Sequence, residues 1–337
     1  MVKNSQSQQA AVSANRAGGT STEAQKPDNI DRRGFLSCMA WAGTGLVWTM
    51  AGGVPVSRLF AAEPGAGAAK GEHAGSFSFV QISDSHIGFN KAANQDVAGT
   101  LKLAIDRINA LPAEPELLLH TGDITQSSKA AEFDTAAEIV KTAKAGATFY
   151  VPGEHDTASD DGALYLERFG SGSASRGWYS FDHRGVHFVG LNNVLQIDAM
   201  GRLGADQLAW LKSDLAGRSS STPVVVFAHI PLWMVYPEWG WGTEDGAEAL
   251  GYLKRFGSVT VLNGHIHQVV QKVEGSVAFH TACSTAFPQP APGSAPHAGP
   301  MVVEAGKLKG VLGITQVNYV GRHSHLAIVD SSLADAV

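Results

Sequence analysis

FSFVQISDSH, residues 77–86, is a short apolar run that ends abruptly in polar side chains. Its first part, Phe77–Ile82, is typical of a buried strand, and Asp84 and His86 follow directly after it. Because the carboxyl ends of strands in an open α/β sheet form the ligand crevice, repeated motifs of this kind are expected to meet at one edge of a sheet. The arrangement recurs four times: Leu117–His120 before Gly122-Asp123, Thr148–Val151 before Gly153-Glu154-His155-Asp156, Val224–Ala228 before His229, and Val259–Leu262 before Gly264-His265-Ile266-His267.

Amphipathic segments separate these strands, and this alternation is typical of an α/β domain. The clearest predicted helix is Asn94–Ala110, and others are expected at Ala130–Thr142, Gly204–Leu215 and Ala247–Phe256. Two hairpins are expected around turns at 183–185 and 274–275. Ala286–Pro300 contains five Pro and is interpreted as a surface loop, whereas Met301–Val337 shows no clear pattern.

The polar residues that follow the strands are Asp, Glu and His, without any Cys. Carboxylate oxygen and imidazole nitrogen suit Zn²⁺, Mn²⁺ and Fe. Glycines at 122, 153 and 264 allow the main chain to approach a metal closely. Two metals about 3.5–4 Å apart can share one carboxylate and act on both sides of an in-line displacement. The order of the motifs therefore predicts a dinuclear metal centre.

The motif set, Asp84-x-His86, Gly122-Asp123, Gly153–Asp156, His229 and Gly264-His265-x-His267, resembles that of the calcineurin-like metallophosphoesterases. The resemblance covers residues 77–283, and the pattern is nearest to the bacterial cyclic-nucleotide phosphodiesterase branch. It implies a two-sheet α/β sandwich with flanking helices. Residues 69–337 would form this domain, with the motif core at 77–283 and a C-terminal extension at 284–337.

The resemblance also implies a role for each motif residue. Asp123 would bridge two divalent metal ions, each Mn, Fe or Zn. His155, oriented by Asp156, would lie near the substrate phosphate and stabilise or protonate the leaving group. The first metal would be bound by Asp84, His86, Asp123 and His267, and the second by Asp123, Glu154, His229 and His265.

Two positions depart from patterns known in the family. Glu154 stands where the family usually has Asn, so it adds a negative charge that should tighten the second metal but lower its Lewis acidity. Gln126 stands three residues after the bridging carboxylate, where the purple acid phosphatases have a metal-binding Tyr. A tyrosinate-bound Fe(III) is therefore not expected.

The implied function is hydrolysis of a small phosphate ester, with a phosphodiester favoured and a metal-bridging hydroxide attacking phosphorus in line. One alternative is a phosphomonoesterase. Another is a binding protein that keeps its metals but has lost turnover, which Glu154 motivates. The formal net charge is −6 and no basic run occurs outside the N-terminus, so a nucleic-acid-binding face is unsupported.

The first 68 residues are interpreted as an N-terminal targeting segment. Residues 1–30 are polar and are expected to be disordered. Residues 31–68 resemble a twin-arginine export signal, with Arg32-Arg33 before the weakly apolar stretch Cys38–Val54 and a small-x-small cleavage site at Ala66-Gly67-Ala68. The export machinery would deliver a folded protein to the periplasm or beyond. The alternative is an uncleaved N-terminal membrane anchor.

Several other side chains are interpreted without a firm role. Pro231–Gly242 follows His229 and contains Trp233, Tyr236, Trp239 and Trp241, which either stack on an aromatic group of the substrate or pack on the domain. His120 is expected to be packed rather than a ligand, and His280 is also not expected to bind metal.

Overall fold

The computed structural model describes residues 47–51, 54–58, 76–170, 176–194, 200–304, 306–320 and 325–334. The segment 1–30, the Arg32-Arg33 pair and the cleavage site at 66–68 lie outside the described residues. Within the predicted export signal, β1 (Val47–Ala51) and β2 (Val54–Arg58) form an antiparallel pair in a unit separate from residues 68–337. Over the described parts of the chain, no helix has the length and apolar character needed to cross a membrane.

Residues 68–337 are built on two sheets. The five-stranded sheet has the order β13-β12-β3-β4-β5. Strands β3, β4 and β5 are parallel, and β12 pairs antiparallel with β3. Their bounds are β3 (Phe77–Ile82), β4 (Leu117–His120), β5 (Ala147–Tyr150), β12 (Gly313–Val320) and β13 (His325–Ser332).

The six-stranded sheet has the order β10-β11-β9-β8-β7-β6. Its inner strands β11, β9, β8 and β7 are parallel, and an antiparallel strand closes each edge. The bounds are β6 (Tyr179–His183), β7 (Val186–Gly190), β8 (Val224–Phe227), β9 (Val259–Asn263), β10 (Gln271–Glu274) and β11 (Val277–Thr281).

An apolar layer joins the inner faces of the two sheets. Phe79 of β3 meets Phe188 of β7 edge-on, with ring centroids 5.4 Å apart. The layer draws on alternate residues of the strands because side chains on a strand point to opposite faces. Its buried members are Phe77, Phe79, Leu117, Leu119, Val151, Val186, Phe188, Val225, Phe227, Leu262, Val317 and Tyr319.

Helices cover both outer faces, as expected from the amphipathic segments. The five-stranded sheet packs against α1 (Val97–Asn109), α2 (Ala130–Val140) and α3 (Ala163–Phe169). The six-stranded sheet packs against α4 (Ala205–Ala216) and α5 (Gly246–Leu253). A short α6 (Leu308–Val311) precedes β12. The prediction of a two-sheet α/β sandwich with flanking helices is confirmed.

Three sequence expectations need correction. The first helix begins at Val97 rather than Asn94, because Asp96 caps it by accepting from Gly99 N at 2.8 Å. The loop from Ala286 is not wholly at the surface, since Ala286 and Phe287 are buried. The patternless C-terminal region supplies β12 and β13.

Candidate metal centre

The predicted ligands come from loops at the carboxyl ends of strands in both sheets. Asp84 and His86 follow β3, Asp123 follows β4, and Glu154 opens a 3₁₀ turn after β5. His229 follows β8, while His265 and His267 follow β9. The five motifs therefore converge as expected, but across two facing sheets rather than along one edge of a single sheet.

The backbone of five predicted ligands is left-handed. The φ angles are 55° at Asp84, 42° at His86, 50° at Asp123, 70° at His265 and 54° at His267. Such conformations cost roughly 1–2 kcal/mol per residue and persist only where the surroundings enforce them. Backbone bonds from Asp84 N to Gly122 O (3.0 Å) and from His86 N to Asp123 O (2.9 Å) hold the first two loops together. The curled loops turn successive polar side chains into one cavity.

Glycines make this convergence sterically possible. Gly122 has a φ of 92°, and a Cβ there would lie 2.6 Å from Nδ1 of His229. A Cβ on Gly153 would collide with the backbone of Asp123, and one on Gly264 with the Ser83 hydroxyl. The predicted close approach of main chain to the site is confirmed at all three positions.

The first cluster of ligand atoms comprises Asp84, His86 and His267. His267 Nε2 lies 3.2 Å from Asp84 Oδ1 and 3.1 Å from His86 Nε2. The ligand atoms of the three residues all lie within 4.8 Å of one another. All three side chains are buried, so the cluster is shielded from bulk water.

The second cluster comprises Glu154, His229 and His265. The two carboxylate oxygens of Glu154 lie 3.0 Å from His229 Nε2 and 3.0 Å from His265 Nδ1. Asp123 stands between the clusters, with its Oδ2 atom 3.5 Å from His86 Nε2 and 3.4 Å from His229 Nε2. One oxygen of Asp123 thus faces both clusters, which suits a carboxylate that bridges two metals.

Unpartnered atoms show that these side chains fit two metal ions. His229 Nε2, His265 Nδ1 and Glu154 Oε2 are buried and make no hydrogen bond, although they lie close together. On the other side of the ring, His229 Nδ1 contacts Thr121 O at 2.7 Å, and His267 Nδ1 contacts Phe287 O at 2.5 Å. A carbonyl can only accept, so each of these rings keeps its Nε2 lone pair for a cation.

The charges of the cluster also suit cations. Burial raises the pKa of Glu154, but the neighbouring His265 and His229 outweigh burial and hold that pKa well below its usual value. Burial lowers the pKa of His229, but Asp123 and Glu154 raise it well above its usual value. Burial lowers the pKa of His86 to about 3, which leaves that ring neutral. A metal ion binding at His229 would replace the proton that its raised pKa favours.

His155 lies beside the first cluster. Its ring meets the His86 ring edge-on at 4.9 Å between centroids, and its backbone N–H donates to Asp123 Oδ1 at 3.0 Å. Burial lowers the pKa of His155, but Asp123, Glu154 and the carbonyl of Gln126 outweigh burial, and the pKa is raised overall. The protonated ring is therefore favoured next to the reaction centre.

The expectation that Asp156 orients His155 needs correction. The Asp156 carboxylate accepts hydrogen bonds from Ile124 N (3.1 Å), Thr125 N (2.8 Å), Thr125 Oγ1 (2.9 Å) and Gly153 N (2.9 Å). It therefore joins the loop after β4 to the loop after β5. Gln126 makes the hydrogen bonds to the His155 ring instead. A direct catalytic role for Asp156 stays a prediction.

The other side chains singled out in the sequence lie outside the ligand clusters found among the described residues. His120 is buried beside the Ser85 hydroxyl at 2.9 Å and belongs to none of the ligand clusters found among the described residues. His280 pairs with Asp330 at 3.0 Å. Trp233 and Trp241 are buried as packing residues. Tyr236 and Trp239 are only partly buried and lie edge-on at 5.1 Å, so stacking on a substrate stays a prediction for these two.

Two contacts could not be predicted from the motifs. The carbonyl of Phe287 orients a ligand twenty residues earlier in the chain, and the Gln289 amide donates to the carbonyl of His265 at 2.9 Å. Both come from the Pro-rich loop, whose composition gives no sign of them.

Comparison with known proteins agrees with this geometry. A family model described as calcineurin-like phosphoesterase matches residues 77–269. A probable glycerophosphodiester phosphodiesterase of Arcobacter nitrofigilis is 27% identical over 218 residues, which are 61% of this chain and 77% of that protein. A probable cyclic nucleotide phosphodiesterase of Synechococcus is 28% identical over 218 residues, covering 63% and 83%. The crystal structure of a dimetal phosphatase from Danio rerio shares the fold at 14% identity, with a TM-score of 0.56 over 77% of this chain and 97% of that chain.

Proposed function

Because this chain belongs to the calcineurin-like phosphoesterase family and is a hydrolase of phosphate esters that uses two divalent metals, we propose that it is specifically a phosphodiesterase for small, singly charged diesters. The proposal concerns the choice between diester and monoester. Relatives with names of both kinds exist, so it must be argued from the residues of this site.

The observation that carries the proposal is the charge of the site. Three carboxylates, those of Asp84, Asp123 and Glu154, lie in the two clusters. Among the described residues, no Lys or Arg makes an ion pair or hydrogen bond with any of the seven predicted ligands or with His155. Two divalent ions would carry four positive charges and the carboxylates three negative ones; the charges of a metal-bound hydroxide and of a protonated His155 cancel, which leaves a single positive charge. That charge balances a diester monoanion.

A monoester is a poorer match for the same site. Its second ionisation has a pKa of about 6, so at neutral pH it brings nearly two negative charges into a buried centre. Like charges at short range in a low-dielectric site repel strongly. Glu154 therefore favours the diester.

The chain's own residues account for the rest of the reaction. When bound, the two metals supply Lewis acidity and an activated water. Asp123 and the loop glycines hold the clusters together, and burial of Asp84, His86 and His267 shields the first cluster from bulk solvent. His155 lies beside them with a raised pKa, which supports protonation of the departing alkoxide.

The experiment compares bis-p-nitrophenyl phosphate with p-nitrophenyl phosphate on protein loaded with Mn²⁺, Zn²⁺ or Fe²⁺. We expect kcat/KM for the diester to exceed that for the monoester by at least about tenfold, or about 1.4 kcal/mol. Faster monoester turnover would support the phosphomonoesterase alternative. Two bound metals without turnover of either ester would support the metal-retaining binding protein.

A further inference from the structure

We propose that Gln126 is the positioning residue of His155, holding the ring through Nδ1 so that Nε2 is the nitrogen left free for the substrate. The inference rests on the proposed function, in which His155 protonates the leaving group. It assigns to Gln126 a role that the motif pattern does not suggest.

The contacts determine which nitrogen of His155 carries the fixed proton. Nδ1 of His155 lies 2.8 Å from the backbone carbonyl oxygen of Gln126. A carbonyl can only accept, so Nδ1–H must donate to it in both the neutral and the charged ring. Among the described hydrogen bonds none involves Nε2, so Nε2 is the nitrogen left available to a substrate.

The side chain of Gln126 reinforces this arrangement. Its terminal amide lies 3.1 Å from the same Nδ1 atom. Because amide oxygen and nitrogen are nearly interchangeable in shape, turning the amide by half a turn presents its oxygen to Nδ1–H. The N–H₂ group then takes the buried position at which the amide oxygen makes no hydrogen bond, so the exchange breaks no existing contact.

No other described residue competes for this role. Asp156, the adjacent carboxylate, is committed to backbone donors of 124, 125 and 153 and to the Thr125 hydroxyl. The described hydrogen bonds to the His155 ring both come from Gln126.

The ring of His155 lies against the predicted metal ligands. One ring nitrogen of His155 lies within 4.8 Å of ligand atoms of both His86 and Asp123. A neutral amide can orient the ring there without adding a fourth carboxylate to a centre that already has three. A glutamate at 126 would orient the ring equally well but would repel the substrate phosphate.

The test uses Gln126→Ala in the metal-loaded protein, with two diesters that differ in the leaving group. Protonation of the leaving group speeds the reaction strongly when that group is a poor alkoxide and only slightly when it is p-nitrophenolate. We expect kcat to fall about tenfold for glycerophosphoethanolamine, a dialkyl ester whose leaving group is an alkoxide. For bis-p-nitrophenyl phosphate we expect kcat to fall less than about twofold. Metal content should be unchanged.

Two further variants separate positioning from general structural damage. In a His155→Ala background, Gln126→Ala should have no additional effect, because residues that act through one group are not additive. Gln289→Ala is the matched control, since its amide donates to the carbonyl of His265 and not to His155. Its effect should be the same for both leaving groups and additive with His155→Ala. Gln126→Glu should retain the leaving-group pattern but raise KM.

Equal losses on both esters, or additivity of Gln126→Ala with His155→Ala, would overturn the inference. The ¹⁵N NMR spectrum of the Zn²⁺-loaded protein tests the inference without measuring turnover. The neutral His155 ring should carry its proton on Nδ1. A neutral ring with its proton on Nε2 would also overturn the inference. A parent protein that binds two metals but hydrolyses no diester would contradict the proposed function while leaving the spectral test of positioning intact.

Discussion

At the scale of single residues, Asp123 is the side chain on which both metal clusters depend, because its Oδ2 atom faces His86 and His229 at similar distances. We expect Asp123→Asn to lower metal occupancy at both sites and to reduce kcat by at least about 100-fold, since an amide is a poor bridging ligand. Metal content after gel filtration and diester turnover check this. The control is Asp134→Asn, an exposed carboxylate paired with Arg168. Two retained metals with normal turnover would mean that the bridge is assigned wrongly.

Glu154 is the residue at which the chain departs from its family, and it supplies a full negative charge to the second cluster. We expect Glu154→Asn to lose its second metal at least about tenfold faster under chelation. With metal in excess, diester turnover should be unchanged or higher, and monoester turnover should rise because the site gains one net positive charge. Glu154→Gln keeps the length and separates charge from reach. Tighter metal retention in either variant would contradict the assignment.

At the scale of elements, a buried histidine ties the β6–β7 hairpin to α4. His187 contacts Asp182 at 2.9 Å and Asp214 at 2.7 Å, and the Ser180 hydroxyl donates to Asp214 at 2.7 Å. Burial raises the pKa of Asp214, but these hydrogen bonds outweigh it, so the pKa is lowered overall. A lowered carboxyl pKa contributes stability above the unfolded value and loses it as the pH falls through the folded value.

We therefore expect Asp214→Asn to destabilise the protein by roughly 2 kcal/mol at pH 7, because charged hydrogen bonds are lost. The difference from the parent should persist down to about pH 5 and shrink below about pH 4, where Asp214 of the unfolded parent takes up a proton before Asp214 of the folded parent does. Urea unfolding of the chelated proteins measures this. Asp206→Asn, which removes an exposed ion pair with Arg176, should cost less than about 1 kcal/mol. A penalty for Asp214→Asn that is constant down to pH 3 would exclude the charge explanation.

At the scale of the whole molecule, the domain must bring loops from two sheets together before a metal site exists. We propose that it is exported in folded form by the twin-arginine route, which suits a protein that collects its metals before export. Arg32→Lys with Arg33→Lys should leave an unprocessed precursor in the cytoplasm, whereas the parent should reach the periplasm. Fractionation and N-terminal sequencing check this, with Arg58→Lys as the control. Normal delivery of the double variant would exclude the route, and an uncleaved parent held in the membrane would favour the anchor.

Much of the site could be predicted from the sequence because its residues lie in short local motifs. Phe77–Ile82 and Leu117–His120 appear as strands with the predicted bounds. Each ligand follows its strand within a few residues, and the glycines lie beside them. A motif of this kind can be recognised in the sequence because the strand, the glycine and the metal ligand lie within a few residues of one another.

Other features depended on contacts between distant segments. β12 pairs with β3 more than two hundred residues away in sequence, which no local pattern in 301–337 could indicate. The orienting partner of His155 also differed from the expected neighbour, because Asp156 turns its carboxylate towards the backbone of 124–125 while Gln126, from the loop after β4, reaches the ring.

The sequence by itself determined the strand–loop motifs, the identity of the ligands and hence the kind of chemistry, since these depend on residue type and on spacing along the chain. Only the tertiary structure decided that the ligands come from two facing sheets, that one oxygen of Asp123 faces both clusters, and which side chain holds His155. The physical reason is that hydrogen bonds and metal sites depend on distances of about 3 Å between atoms. Packing of remote segments sets those distances.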